Sequence, residues 1–273
     1  MYELKNKVVF ITGGSTGIGA KIIERLLEEN VKYVVNLDIA EEKGIELQNK
    51  LNKKYGANKV KFIKGDVTNE DHLKVAYDNI LKEHGCLDVV LNNAGIMNDG
   101  RETYKKEIEI NVTALITNTR MAMDVMRKDG GGNGGVIMNM SSVAAFLQDS
   151  PYPVYFATKS AVLQFSNCVG LPDYYDRTGV RVLTICFGAT DTALLMEENL
   201  GAFDKDIEKM KSLSKISYQK VESAARGVID ALKQGESGTT WLAIADKPVM
   251  NVTETVKKAY SLLTDLVAEK QKK

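Results

Sequence analysis

Short apolar runs alternate with amphipathic stretches along most of this chain. KVVFI (Lys7 to Ile11), YVVNL (Tyr33 to Leu37), Val60 to Ile63 and Leu87 to Leu91 carry aliphatic and β-branched residues with little polar alternation. Runs of this kind fit strands covered on both faces. Val136 to Met140, Val180 to Cys186 and Thr239 to Ile244 continue the series. Between them the apolar positions change to helical spacing. Ile22, Ile23, Leu26 and Leu27 mark a helix over about 18–29, and more polar helices follow over about 41–55 and 70–83. A long helix is expected over about 103–126, one from near Tyr155 to Gly170, and one over about 220–233. Strands alternating with helices predict βαβ units, and so an α/β fold with a doubly wound parallel sheet of about seven strands. No repeat or linker divides the chain, which reads as a single domain over 1–273. A segment of mixed charge at about 190–217 is expected to form a helical lid. Beyond about residue 245 a C-terminal extension places Val256, Tyr260, Leu263 and Val267 at helical spacing.

Composition narrows the functional classes. At 273 residues and 44% hydrophobic, the chain can bury one large core. Lys plus Arg and Asp plus Glu both number 36, which gives no electrostatic case for nucleic acid or an anionic membrane surface. Three scattered cysteines (Cys86, Cys168, Cys186) and two histidines offer no metal-ligand spacing, so no metal is expected. No run approaches the length of a membrane span, and neither end carries a recognisable signal or address. The expected setting is cytoplasmic.

The chemistry gathers at the ends of the apolar runs. TGGSTGIG (Thr12 to Gly19) follows the first strand and opens a helix. Gly13, Gly17 and Gly19 let the backbone approach a pyrophosphate, and the helix end supplies free N–H groups. Its G-x-x-x-G-x-G spacing differs from the general dinucleotide fingerprint, and the Gly-Lys-Ser/Thr of a P-loop is missing. Asp38 ends the second strand, where a carboxylate can accept from ribose hydroxyls and would repel a 2′-phosphate. No lysine or arginine stands at residues 14–16 or directly after Asp38, so NAD is favoured over NADP. Asp38 could equally cap the following helix. Asp66, after the third strand, could meet an adenine amino group or serve its own turn. Tyr155 and Lys159 lie four apart in YFATK and so share a helix face. A cation there favours the phenolate and points to proton transfer by Tyr155. Ser142 stands thirteen residues upstream. A serine hydrolase is disfavoured, since neither histidine is near these motifs and G-x-S-x-G is absent.

Taken in order, TGGSTGIG, Asp66, NNAG (Asn92 to Gly95), Asn111, Ser142, Tyr155 and Lys159 resemble the short-chain dehydrogenase/reductase family, across the chain to about Ile244. Within it, GGNGGVIMNMSSVAA, the PVY before FATK and GTTWLAI look most like the NAD-dependent 15-hydroxyprostaglandin dehydrogenase and insect-type alcohol dehydrogenase groups. The resemblance implies a Rossmann-like fold and a catalytic set of Asn111, Ser142, Tyr155 and Lys159. Ser142 would hold the substrate oxygen, Tyr155 would exchange its proton, and Lys159 would hold the ribose and, together with the cofactor's positive ring, lower the Tyr155 pKa. Asn111 would hold a water leading to Lys159. NAD would contact Gly13, Ser15, Thr16, Gly17, Ile18, Gly19, Asp38, Asp66, Val67, Asn93, Ala94, Gly95, Tyr155, Lys159, Phe187, Gly188, Thr190 and Thr192. A homodimer or homotetramer is implied, joined through the long helices around Asn111 and Lys159.

Two departures stand out. The family's Pro-Gly after the sixth strand is here Phe187-Gly188, which puts a large ring beside the expected nicotinamide site. Prostaglandin-oxidising members usually have glutamine three residues before the tyrosine, whereas this chain has Tyr152, which bears against prostaglandin as substrate. Phe146, Tyr152, Leu194 and Leu195, with Ser142 and Tyr155, are the expected substrate contacts. They suit a small apolar, lipid-like secondary alcohol or ketone. The competing expectation is a non-catalytic dinucleotide-binding sensor or scaffold.

Overall fold

The computed structural model describes residues 1–210 and 217–271. Seven parallel strands form most of the sheet: β1 (Val8–Thr12), β2 (Tyr33–Asp38), β3 (Val60–Lys64), β4 (Val89–Asn92), β5 (Gly135–Ser142), β6 (Val180–Phe187) and β7 (Thr240–Ala243). An eighth, β8 (Met250–Asn251), pairs antiparallel with β7 inside the expected extension. Its two residues are exposed and too few to carry a pattern, which is why the apolar runs predicted seven. The order is β3-β2-β1-β4-β5-β6-β7-β8, so the winding reverses between β1 and β4. In doubly wound sheets the crevice at the carboxyl ends of such strands is where ligands bind.

Successive residues of one strand feed opposite layers. Val9 and Ile11 pack with Ile22, Ile23 and Leu26 of α1 (Gly17–Glu28) and Val228 and Leu232 of α9 (Val221–Gln234). Val8 and Phe10 pack on the other side with Leu73 and Tyr77 of α3 (Glu70–His84) and Met126 of α5 (Leu115–Met126). All five residues of β1 are buried, and each fully buried aliphatic side chain contributes about 1.5–3 kcal/mol. Covering on both faces is the reason the strand shows no polar alternation.

A line of buried polar groups crosses this core. The Tyr77 hydroxyl donates to Asn118 Oδ1 (2.8 Å), Asn118 Nδ2 to Asn92 Oδ1 (2.6 Å), Asn92 Nδ2 to Asn139 Oδ1 (2.7 Å) and Asn139 Nδ2 to Ser166 Oγ (2.9 Å). It joins α3 and α5 through β4 and β5 to α6 (Pro153–Val169). Because each buried amide has a partner, the line fixes the relative height of those elements instead of costing desolvation.

Several elements depart from the sequence expectation. The long fourth helix is divided: α4 (Tyr104–Ile108) passes through a π-helical turn, Glu109–Ala114, into α5. Besides α2 (Glu41–Tyr55), which was expected, α7 (Pro172–Thr178) forms a short helix that the periodicity did not reveal. The lid region holds two 3₁₀ turns, Ala193–Leu195 and Glu197–Asn199, and then α8 (Lys205–Met210). Its expected continuation over 211–216 lies outside the described residues. Helix α10 (Thr253–Gln271) ends the described chain, and residues 272–273 of the expected extension lie beyond it.

Candidate active site

The glycine turn between β1 and α1 is built against the start of the loop after β4. A Cβ on Gly19 would stand 2.3 Å from the Gly13 carbonyl oxygen and 2.7 Å from Asn93 Nδ2, and one on Gly13 would stand 2.8 Å from Ala94 Cα. Gly13 also has φ +65°, a region that favours glycine. Asn93 Nδ2 donates to the Thr12 and Gly13 carbonyls (3.1 and 2.7 Å), and Thr12 Oγ1 accepts from the Asn93 and Ala94 N–H groups. At the start of α1, Thr16 gives no side-chain cap and no acidic residue occupies the first turn. That leaves the positive helix end for an external anion.

Asp38 is tied to the same turn. One oxygen accepts from Ser15 N–H and the other from Ala40 N–H, both at 2.9 Å. Helix α2 begins after Ala40 and has no side-chain cap, so Asp38 braces two turns without capping the helix. Asn36 completes the brace: its Oδ1 accepts from Gly14 N–H (2.9 Å) and its Nδ2 donates to Ser15 Oγ (3.0 Å). Sequence reasoning missed Asn36. The signal was there, as a buried amide in the otherwise apolar run YVVNL. Asp66 Oδ1 accepts from the N–H and hydroxyl of Thr68. Burial pushes its carboxyl up, and the two Thr68 bonds together with the Lys106 and His72 charges more than offset this, leaving it below its ordinary value.

These groups surround a cleft of about 600 Å³. Gly13, Thr16, Gly17, Ile18, Gly19, Asp38, Asp66, Val67, Asn93, Ala94, Gly95, Thr192 and Leu194 line it. Ser15 is buried and contributes through its backbone and hydroxyl bonds. Lys43, one turn into α2, and Lys106 line the cleft as well. Inspecting only the residues next to Asp38 overlooked Lys43. The cleft, the glycine cradle and the uncapped helix end fit a dinucleotide. Among the described residues no cluster fits a metal ion.

Ser142, Tyr155 and Lys159 meet beside the cleft, on β5 and α6. Pro153 starts α6 at a position where its missing N–H costs nothing. Ser142 Oγ accepts from Ala144 N–H (3.1 Å) and lies 3.4 Å from the Phe187 carbonyl. Lys159 Nζ is 5.5 Å from the centre of the Tyr155 ring and donates to the Met140 carbonyl at 3.3 Å. Burial pushes the Tyr155 phenol up to about 12, with a Ser142 hydrogen bond pulling it down and Glu107 and Cys186 pushing it further up. Burial likewise pushes Lys159 down to about 8, against an upward pull from Glu107 and Cys186. In the protein alone burial therefore sets the Tyr155 phenol above its ordinary value, and the proximity of Lys159 by itself does not bring it down.

Asn111 sits in the π-helical turn. Its Oδ1 accepts from Ile96 N–H (2.9 Å), and its Nδ2 donates to the Ile96 carbonyl (2.8 Å) and Thr158 Oγ1 (3.2 Å). The asparagine thus ties the loop after β4 to α6. A Cβ on Gly95 would meet both Asn111 Oδ1 (3.1 Å) and Lys159 Nζ (3.5 Å). Within the widened turn Asn111 reaches α6, which a regular helical pattern did not foretell.

After β6 the geometry corrects one expectation. The Phe187 ring belongs to the core packed beneath α1 and α9, so it does not crowd the cleft from above. Only its backbone reaches the site, and Gly188 continues the strand pairing by donating to the Ala243 carbonyl. Thr190 Oγ1 donates to the Gly188 carbonyl (2.9 Å). Gln219, which belongs to no recognisable motif, donates from Nε2 toward Thr190 Oγ1 (3.0 Å) and the Ala243 carbonyl (2.9 Å). It braces the turn where the family usually has proline.

Of the expected substrate contacts, Leu194 and Leu195 pack partly buried against Met97, Ala144, Tyr152, Tyr155 and Ala202. Phe146 is exposed. Tyr152 is buried in that cluster together with Tyr155.

Comparison with known proteins agrees with this geometry. The family model for short chain dehydrogenase matches residues 7–202. A 15-hydroxyprostaglandin dehydrogenase [NAD(+)] from Macaca fascicularis is 33% identical over 217 residues, 78% of this chain and 80% of its own. An alcohol dehydrogenase 1 from Ceratitis cosyra is 30% identical over 245 residues, 88% of this chain and 93% of its own. Among solved structures, an NADPH-dependent 3-quinuclidinone reductase from Rhodotorula rubra superposes with a TM-score of 0.70. It is 26% identical and covers 89% of this chain and 92% of its own.

Proposed function

This chain belongs to the short-chain dehydrogenase family, and on that footing we propose that it interconverts a secondary alcohol and a ketone on a small apolar, lipid-like molecule with NAD. The observation that carries the reading is the convergence of Ser142, Tyr155 and Lys159 beside a glycine-lined cleft. The nicotinamide would supply or accept the hydride. Gly13, Thr16, Gly17, Ile18 and Gly19 would hold its phosphates, Asp38 the adenosine ribose, and Asp66 and Val67 the adenine. Asn93, Ala94, Gly95, Phe187, Gly188, Thr190 and Thr192 would border the nicotinamide half. Asp38 supports NAD, since a 2′-phosphate would meet its carboxylate; Lys43 on the cleft wall makes NADP the comparison to run.

Ser142 would hold the substrate oxygen while Tyr155 takes or returns its proton. Bringing Tyr155 from about 12 to near neutrality demands roughly 7 kcal/mol at 1.36 kcal/mol per unit. Lys159 alone does not supply this, so the positive charge of a bound oxidised cofactor has to contribute. Lys159 would hold the nicotinamide ribose, and Asn111 would keep its surroundings in register. Phe146, Leu194 and Leu195 would meet the apolar part of the substrate. A homodimer or homotetramer joined through the helices around Asn111 and Lys159 follows from the family, to be read by light scattering. Among the described residues no helix is long and apolar enough to cross a membrane, and a cytoplasmic setting is proposed with that.

The experiment is a panel of secondary alcohols and ketones with NAD(H) and NADP(H), following absorbance of the reduced nicotinamide. Turnover with NAD(H) that Tyr155→Phe removes supports the reading. Nucleotide binding with no turnover on any substrate would instead favour a sensor or scaffold.

A further inference from the structure

Two buried carboxyl groups behind Tyr155 have no part in the reaction described above. Asp99, in the loop after β4, accepts from Val154 N–H at 2.5 Å and Tyr155 N–H at 3.1 Å. These are the first N–H donors of α6, because Pro153 has none and Tyr152 provides no side-chain cap. The catalytic tyrosine therefore stands on a helix end capped from another segment. Glu107 of α4 lies behind Asp99 and is fully buried. Neither of its oxygens meets a donor in good geometry, yet Asp99 and the Asn98 N–H are near enough to act on its proton.

Two ionised carboxylates only accept hydrogen bonds, so a contact between them requires a proton. Two α6 N–H groups at the helix end favour the charge on Asp99, whereas on Glu107 the Asn98 N–H and the Lys159 charge are outweighed by burial and by Asp99. We propose that Glu107 keeps its proton and donates it to Asp99, and that this pair is a positioning device holding Tyr155 and shielding it from a second negative charge. Burial first, and then Asp99, push the Glu107 carboxyl up to about 8. The groups that face it are Asp99 from the loop, Lys159 and Tyr155 from α6, and, through those two, Cys186 of β6. Below about 8 one charge faces the helix end and the cap is intact. Above it a second charge repels Asp99 and pushes the Tyr155 phenol further up, so both effects oppose alcohol oxidation.

The consequence for rate rests on Tyr155 as the proton-transfer group; the shared proton does not. Difference infrared spectroscopy of the wild-type protein should show a buried protonated carboxyl at pH 7 that disappears by about pH 10 and is missing in Glu107→Gln. Its absence from the wild-type protein at pH 7 overturns the proposal with no variant needed. In alcohol oxidation, the ratio of kcat at pH 9.5 to kcat at pH 7 should be about tenfold higher in Glu107→Gln than in wild type, because glutamine donates to Asp99 and cannot ionise. Glu107→Leu, which cannot donate, should lower kcat throughout. An alkaline fall that persists unchanged in Glu107→Gln counts against the device. Tyr155→Phe separates the two readings: continued turnover in it sinks the proposed function, while its infrared band still reports the shared proton.

Discussion

The two walls of the site are made of different material. The cofactor side is a cradle of backbone turns and buried polar bonds, in which an added carbon at Gly19 meets an oxygen at 2.3 Å. The side proposed for the substrate is apolar and open, with Phe146, Leu147, Met196 and Phe203 exposed by 41, 57, 50 and 67%. One wall tolerates almost no change in shape, while the other sets few geometric conditions. A chain built this way can keep its redox chemistry fixed while its choice of alcohol changes.

Substitutions at and on either side of the boundary test that division. Tyr155→Phe stands where the walls meet and should lower kcat about 10³-fold while NAD binding by calorimetry persists. Gly19→Ala should weaken NAD about 100-fold, with circular dichroism unchanged, because the added methyl group must displace the Gly13 carbonyl or Asn93. Full NAD affinity in Gly19→Ala would mean the cradle yields as readily as the open wall. Asp38→Ala should weaken NAD about tenfold and NADP less, as one charged hydrogen-bond acceptor is lost. Equal losses would show that Asp38 serves only the Ser15 and Ala40 turns. Phe146→Ser, the mildest change, should raise KM for the longest apolar alcohols by roughly threefold through lost apolar contact. Any effect of Phe146→Ser on cofactor affinity would blur the division.

The same contrast explains what could be read from the chain. Most strands were legible because a strand covered on both faces must be largely apolar, while the edge strand β3 showed through Val60, Phe62 and Ile63. TGGSTGIG, Asp38, Ser142 and Tyr155 were legible because each sits next to an element boundary, and Lys159 because it follows Tyr155 by one helical turn. The π-helical turn at Asn111 was not, since one widened turn leaves the apolar period almost intact. The braces Asn36 and Gln219, and the Asp99–Glu107 pair, act through contacts between distant segments. Their partners are 21 to 56 residues away in the chain, with Glu107 reaching Asp99 over a shorter loop. The Phe187 ring was misplaced for a related reason, because strand alternation decides which layer it enters and the motif alone does not. The spacing of Tyr155 and Lys159 was legible, whereas the upward push on the Tyr155 phenol was not, since burial is a property of the packed fold.

The winding reversal between β1 and β4 also sets a timetable for synthesis. Val9 pairs with Val34 on one side and with Val89 on the other, so one edge of β1 waits for a partner eighty residues further along. At 5–20 residues per second a ribosome needs roughly 4–16 s to deliver it. From the arrival of β2 to the end of that interval, this mostly apolar strand is paired on one side only. For a nascent chain of this design, the central strand of the finished sheet is the segment most in need of a chaperone.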